Sequence, residues 1–134
     1  MILLRRLQAT LPLFLLLIAA GCQSPAEPDT SLTVTLTPGE SVVYGRLTVR
    51  FIGVTEDSRC PADALCIQQG DATFTIDARV GSASARYDLR INDEQRRRVV
   101  HRGYTIEAEE LAPYPFTIDP IEPDEYRLTV TLDR

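Results

Sequence analysis

The chain has 134 residues and a formal charge of −5, with 44% hydrophobic and 25% charged residues, the composition of one small globular domain rather than of a disordered chain. All fourteen basic residues are arginine, there is no Trp, and a single His leaves few reagents for proton transfer. Nineteen acidic residues outnumber the arginines, so no nucleic-acid partner is expected.

The first element reads as a secretion signal. Arg5 and Arg6 form a positive start, Leu11 to Ile18 an apolar run too short to span a bilayer, and Ala19, Ala20 and Gly21 a small-residue cleavage site. The stretch Ile18-Ala19-Ala20-Gly21-Cys22 resembles the bacterial lipoprotein lipobox. That resemblance implies cleavage before Cys22, a diacylglyceryl thioether on its sulfur and acylation of the new amino terminus, an effectively permanent bilayer anchor. Removal of residues 1–21 leaves 113 and, by taking Arg5 and Arg6, moves the charge to −7. Gln23 rather than aspartate after the cysteine favours the periplasmic face of the outer membrane in a two-membrane envelope. Residues 22–30, with Pro25 and Pro28 among small and acidic residues, read as an extended tether.

From Ser31 to Arg134 the dominant period is two. Leu32, Val34 and Leu36 alternate with threonines, Thr37-Pro38-Gly39-Glu40 makes a turn, and a longer run from Val42 to Phe51 is interrupted at Gly45 and Gly53. The apolar parity shifts from Phe51 to Ile52 and Val54, which predicts a bulge at Gly53. Ala72 to Val80 and Ala85 to Ile91 flank a Gly81-Ser82 turn. A short strand near Arg97 to Arg102, one led by Gly103 and a last from Tyr126 to Leu132 complete seven or eight. Asp93 to Arg98 and Glu107 to Leu111 have the spacing of single helical turns. Pro113, Pro115, Pro120 and Pro123 force an irregular crossover before the last strand. Half-apolar strands without helices must bury one face against another sheet, so the expected fold is all-β, an antiparallel sandwich, Ig-like or a flattened barrel.

Cys60 and Cys66 remain once Cys22 is lipidated, and in a small exported domain they are expected to form a disulfide. A redox dithiol normally has two intervening residues at a helix start, and a zinc site would need more ligands than His101 supplies.

Asp57-Ser58-Arg59-Cys60-Pro61, followed by Cys66 and by Gly70 before Asp71, resembles a group of small bacterial lipoproteins and exported proteins marked by a DSRCP signature and a CxWxG-like segment. Gln68 stands where that segment carries tryptophan. The resemblance implies the fold and the staple and no particular activity. The residue chemistry is that of a scaffold: Asp57 for an Asx-type turn, Arg59 to clamp carbonyls or a carboxylate, Pro61 to stiffen the reversal, Gly70 for positive φ. The alternative is that the disulfide rigidifies a loop presented to a partner.

Glu56, Asp57, Asp63 and Asp71 form an acidic rim that offers oxygens to a divalent cation, without EF-hand spacing. Arg96, Arg97, Arg98 and Arg102, with Arg86 and Arg90 on the preceding strand, make a basic group that either pairs with Glu107, Glu109 and Glu110 or holds an anionic partner. Tyr114 and Phe116 either plug the sandwich end or offer an aromatic contact. No serine sits in a Gly-x-Ser-x-Gly setting to use His101. The expected function is therefore a non-catalytic binding module of the cell envelope, held to the bilayer through acylated Cys22, needing no cofactor and engaging an envelope protein or glycan. The alternative is a divalent-cation or small-ligand binder using the acidic rim at Asp57, Asp63 and Asp71.

Overall fold

The structure, a computed structural model, describes residues 30–134. The leader, Cys22 and the tether up to residue 29 lie outside the described residues. Eight strands follow in order: β1 (Leu32–Leu36), β2 (Ser41–Tyr44), β3 (Leu47–Asp57), β4 (Ala72–Val80), β5 (Ala83–Arg90), β6 (Arg98–His101), β7 (Tyr104–Ala112) and β8 (Arg127–Asp133). One sheet has the order β1-β8-β7-β6 and the other β2-β3-β4-β5, and every pairing is antiparallel. The two sheets stay open at their edges, so the architecture is a sandwich and not a closed barrel.

Alternation makes the core. Leu36, Ile106, Ala108, Leu128, Val130 and Leu132 face inward from one sheet, and Leu47, Val49, Phe51, Phe74, Ile76 and Ala78 from the other, all essentially without exposure. Each of the larger ones contributes about 1.5 to 3 kcal/mol by leaving water. Phe51 and Phe74 meet edge to face with centroids 6.4 Å apart. Among the described residues the buried apolar side chains run from Leu36 to Leu132, so the core between the two sheets is supplied by strands within residues 30–134. At one side β5 and β6 are clasped by Tyr87 and buried His101, with Tyr87 Oη 2.9 Å from Nδ1. Nε2 faces the Ala83 carbonyl at 3.4 Å.

Three bulges adjust which side chains point inward. In β3 the register skips Ile52 and then Thr55, so Phe51 and Val54 share a side and a second skip brings Asp57 inward as well. Ile52, expected to turn inward with Val54, is instead the extra residue and is exposed. In β7 the skipped residue is Glu109. The three-residue spacing of Ala108 and Leu111, which suggests a helical turn, is a strand with a bulge. Asp93 to Arg97 does form a single turn, with the Arg96 and Arg97 amides donating to the Asp93 carbonyl.

The strand directions sort the connections. Tight turns at Gly45-Arg46, Gly81-Ser82 and Arg102-Gly103 lie at one end, together with Thr30 and Arg134. The cysteine loop, the link from Ile91 to Arg97 and the crossover from Pro113 to Tyr126 all lie at the other.

Candidate functional site

The end that carries the long loops is organised around Arg59, whose side chain is 2% exposed. Its Nε and Nη2 donate to the two oxygens of Asp57 at 2.8 and 2.6 Å, a bidentate fork that arginine geometry favours. Nη1 reaches the Leu111 carbonyl at 2.6 Å and Nη2 the Pro113 carbonyl at 3.0 Å. The guanidinium also lies over the Tyr114 ring, 5.3 Å from its centroid. Tyr114 in turn donates its hydroxyl to the Cys60 carbonyl at 2.8 Å, and Tyr126 donates to Asp57 at 3.0 Å. One buried arginine therefore joins the end of β3, the end of β7, the cysteine loop and the crossover.

The expected disulfide between Cys60 and Cys66 is present, with Cα atoms 6.0 Å apart. The base of the loop is closed by Ser58 N to Asp71 O at 2.7 Å and Cys60 N to Gln69 O at 2.8 Å. Its tip is joined to the crossover by Ala62 N to Pro115 O and Asp63 N to Phe116 O, at 3.0 and 3.1 Å. A seven-residue loop closed by a disulfide gains about 2 to 2.5 kcal/mol in the chain-entropy picture. Replacing both Cys60 and Cys66 with serine is expected to lower unfolding free energy by that amount, measured by urea titration, with the two sheets retained because the core lies elsewhere.

Burial of the Asp57 carboxyl works to raise its pKa, but the hydrogen bonds and charge of Arg59, with help from Tyr126, outweigh it and hold the group below the ordinary carboxylate value. Burial, then the adjacent Asp57 carboxylate, push the Tyr126 phenol up to about 12. A depressed carboxyl pKa adds stability that is present above the unfolded value and lost as pH falls through the folded one. A raised phenol pKa adds stability that is present below the unfolded value and lost as pH rises toward the folded one. The thermal midpoint is expected to fall below about pH 4 and again above about pH 10. Tyr126→Phe should remove its part of the alkaline loss, which melting curves across pH will show.

On this braced frame four large apolar side chains face outward. Leu65 and Ile67 in the cysteine loop are fully exposed, and Phe116 and Ile118 on the adjoining crossover are 72% and 86% exposed. Asp63 and Asp119 flank them. Beside them a recess of about 320 Å³ lies between the end of β3 and the crossover, with Asp57, Arg59 and Tyr126 in its wall and Pro61, Ile118 and Ile121 at its rim. Tyr114 braces Arg59 while half exposed, so of the two aromatic residues Phe116 is the one left presenting its ring.

The signature residues are thus scaffold. Pro61 stands at the loop's reversal, Ser58 bonds Asp71, and Gly70 sits at φ 67° where an added Cβ would lie 1.8 Å from the Ser58 carbonyl oxygen. Of the acidic rim, Asp57 is committed to Arg59 and Tyr126. Asp71 Oδ1 accepts from the Ala72 and Asn92 amides, and its Oδ2 lies 3.0 Å from Arg90 Nε. Among the described residues no three His, Cys, Asp or Glu side chains are placed to share a metal ion.

The arginine group divides. Arg96 faces Asp93 at 3.7 Å and Arg97 faces Glu107 at 3.2 Å. Arg96 and Arg98 share a shallow recess with Arg90, whereas Arg102 turns the chain at the far end of β6. Arg86 pairs bidentately with Asp77 on the outer face of β4 and β5. That face also holds a recess of about 610 Å³ with Arg50, Arg79 and Arg86 in its wall. The sequence signal for it is the alternation Thr48 and Arg50, Asp77 and Arg79, Ser84 and Arg86 on outward positions. The exposed set of Leu65, Ile67 and Ile118 was also not singled out by sequence pattern, since in a loop no periodicity distinguishes an exposed apolar residue from a buried one.

Comparison with family models, with curated proteins and with solved structures finds no match to this chain.

Proposed function

We propose that this chain is a lipid-anchored module of the bacterial cell envelope that acts by binding and performs no turnover, with the stapled loop end as its contact surface. The observation that carries the reading is the placing of Leu65, Ile67, Phe116 and Ile118 in water on two segments joined to each other by the Ala62 to Pro115 and Asp63 to Phe116 hydrogen bonds, one of them closed by the disulfide. Apolar side chains held rigidly in solvent favour association, because little conformational freedom remains to be lost on contact. The flanking Asp63 and Asp119 select an envelope protein or glycan that offers apolar surface with a basic or hydrogen-bond-donating border. The anchor on Cys22 would hold the module at the bilayer, on the periplasmic side of an outer membrane where the envelope has one.

The test is photo-crosslinking in intact cells from position 65, with position 43 on the outer face of β2 as reference. A species joined at 65 and absent at 43 is expected, and Ile67→Ser with Phe116→Ser should reduce its yield by about thirtyfold, as for loss of one central contact pair. No position-specific adduct, or one indifferent to these substitutions, would refute the proposal.

A further inference from the structure

We infer that the opposite end of the sandwich, where the tight turns gather, is a seat for anionic phospholipid headgroups, formed by Arg46, Arg102 and Arg134 with Arg79 one rung behind. Four residues far apart in sequence are brought to one end because β2–β3, β4–β5 and β6–β7 all reverse there, with the Arg134 guanidinium lying over the Tyr104 ring, 5.4 Å from its centroid. All four side chains are exposed, and none takes part in an ion pair among the described residues. On the two outermost rungs Asp133 is the one acidic side chain. Arg102 occupies φ 52° beside Gly103 at φ 83°, at an exposed turn.

The rest of the molecule has the contrary sign. At the loop end carboxylates outnumber arginines, with Asp63, Asp93, Glu94, Asp119, Glu122 and Asp124 among them against Arg90 and Arg96 to Arg98, in a chain whose formal charge is −5. Charge is therefore graded along the strands, and an anionic surface orients such a body with its turn end inward. Planar guanidinium groups then meet phosphate oxygens with paired donors.

The described chain also begins at this end. The Tyr44 hydroxyl donates to the Thr30 carbonyl, and Leu32 pairs with Leu132. Eight peptide steps separate Thr30 from Cys22, a reach of at most about 28 Å. If Cys22 bears the anchor, as in the reading above, the arginines face the bilayer and the stapled loop faces away; the charge pattern itself does not depend on that anchor.

The experiment uses residues 30–134, unacylated, with vesicles of phosphatidylcholine alone or mixed equally with phosphatidylglycerol at low salt. Co-sedimentation only with the anionic vesicles, abolished by high salt, is expected. Arg46→Ser with Arg102→Gly should weaken it by roughly fivefold per arginine, while Arg96→Ser with Arg98→Ser, at the loop end, should leave it unchanged. Equal binding to neutral vesicles, no binding, or equal loss in both variants would overturn the inference. An unacylated Cys22 in the exported protein would refute the anchor without altering this result.

Discussion

Arg59→Ala is expected to lower the unfolding free energy by about 3 to 5 kcal/mol, the range for removing one partner of a buried ion pair. The carboxylate of Asp57 would keep its place in the wall of the sandwich with Tyr126 as its remaining side-chain donor. The carbonyls of Leu111 and Pro113 would lose the guanidinium donors they now accept from. Arg59→Lys should recover little, because one ammonium cannot span a carboxylate fork and two carbonyls at once. Asp57→Asn combined with Arg59→Ala should cost less than the separate effects added together, since the double variant no longer strands a charge. Urea unfolding at neutral pH gives all four values. A loss below about 1 kcal/mol for Arg59→Ala would place the ion pair among surface pairs of little worth and remove Arg59 as the organising group of this end.

Gly70→Ala is expected to be nearly as damaging, by about 3 to 4 kcal/mol, for two separable reasons. Positive φ in a residue with a Cβ costs about 1 to 2 kcal/mol. Gly70 has φ 67°, and the added carbon would fall 1.8 Å from the Ser58 carbonyl oxygen, which is backbone and cannot rotate aside. Relief requires the two arms of the cysteine loop to part, at the expense of the Ser58 to Asp71 and Cys60 to Gln69 hydrogen bonds. Gly103→Ala supplies the internal reference. Its φ is 83° with nothing within 4 Å of the added Cβ, so it should show the conformational part alone, about 1 to 2 kcal/mol. Equal effects at the two glycines, measured by chemical unfolding, would contradict the close approach at Gly70.

The sheets are legible in the sequence because their inward residues alternate without help from context. Leu32, Val34 and Leu36, or Phe74, Ile76 and Ala78, admit no other regular conformation that buries them together. Bulges are where alternation misleads. Skipping Glu109 puts Ala108 and Leu111 on one side at helical spacing, and only the β7–β8 register reveals a strand. The staple is legible from Cys60 and Cys66 lying close together in a small domain expected to be exported, and a clamping role for Arg59 from its chemistry. Its carbonyl partners are not legible, because they lie 52 and 54 residues away and no local pattern encodes them. Charge shows the same limit in both directions. Arg96, Arg97 and Arg98 are neighbours in sequence, yet two of them face carboxylates and Arg102 stands at the other end. Arg46, Arg79, Arg102 and Arg134 are scattered in sequence and assembled only by topology.

The most direct test of a tethered, stapled binding module is the intact mass of the protein extracted from the membrane fraction of cells that export it. The expected species begins at Cys22, carries a diacylglyceryl group and an amide-linked acyl chain, and is two hydrogens lighter than the form with Cys60 and Cys66 as thiols. A chain that retains its leader, lacks acyl mass on Cys22, or has both thiols free would contradict it.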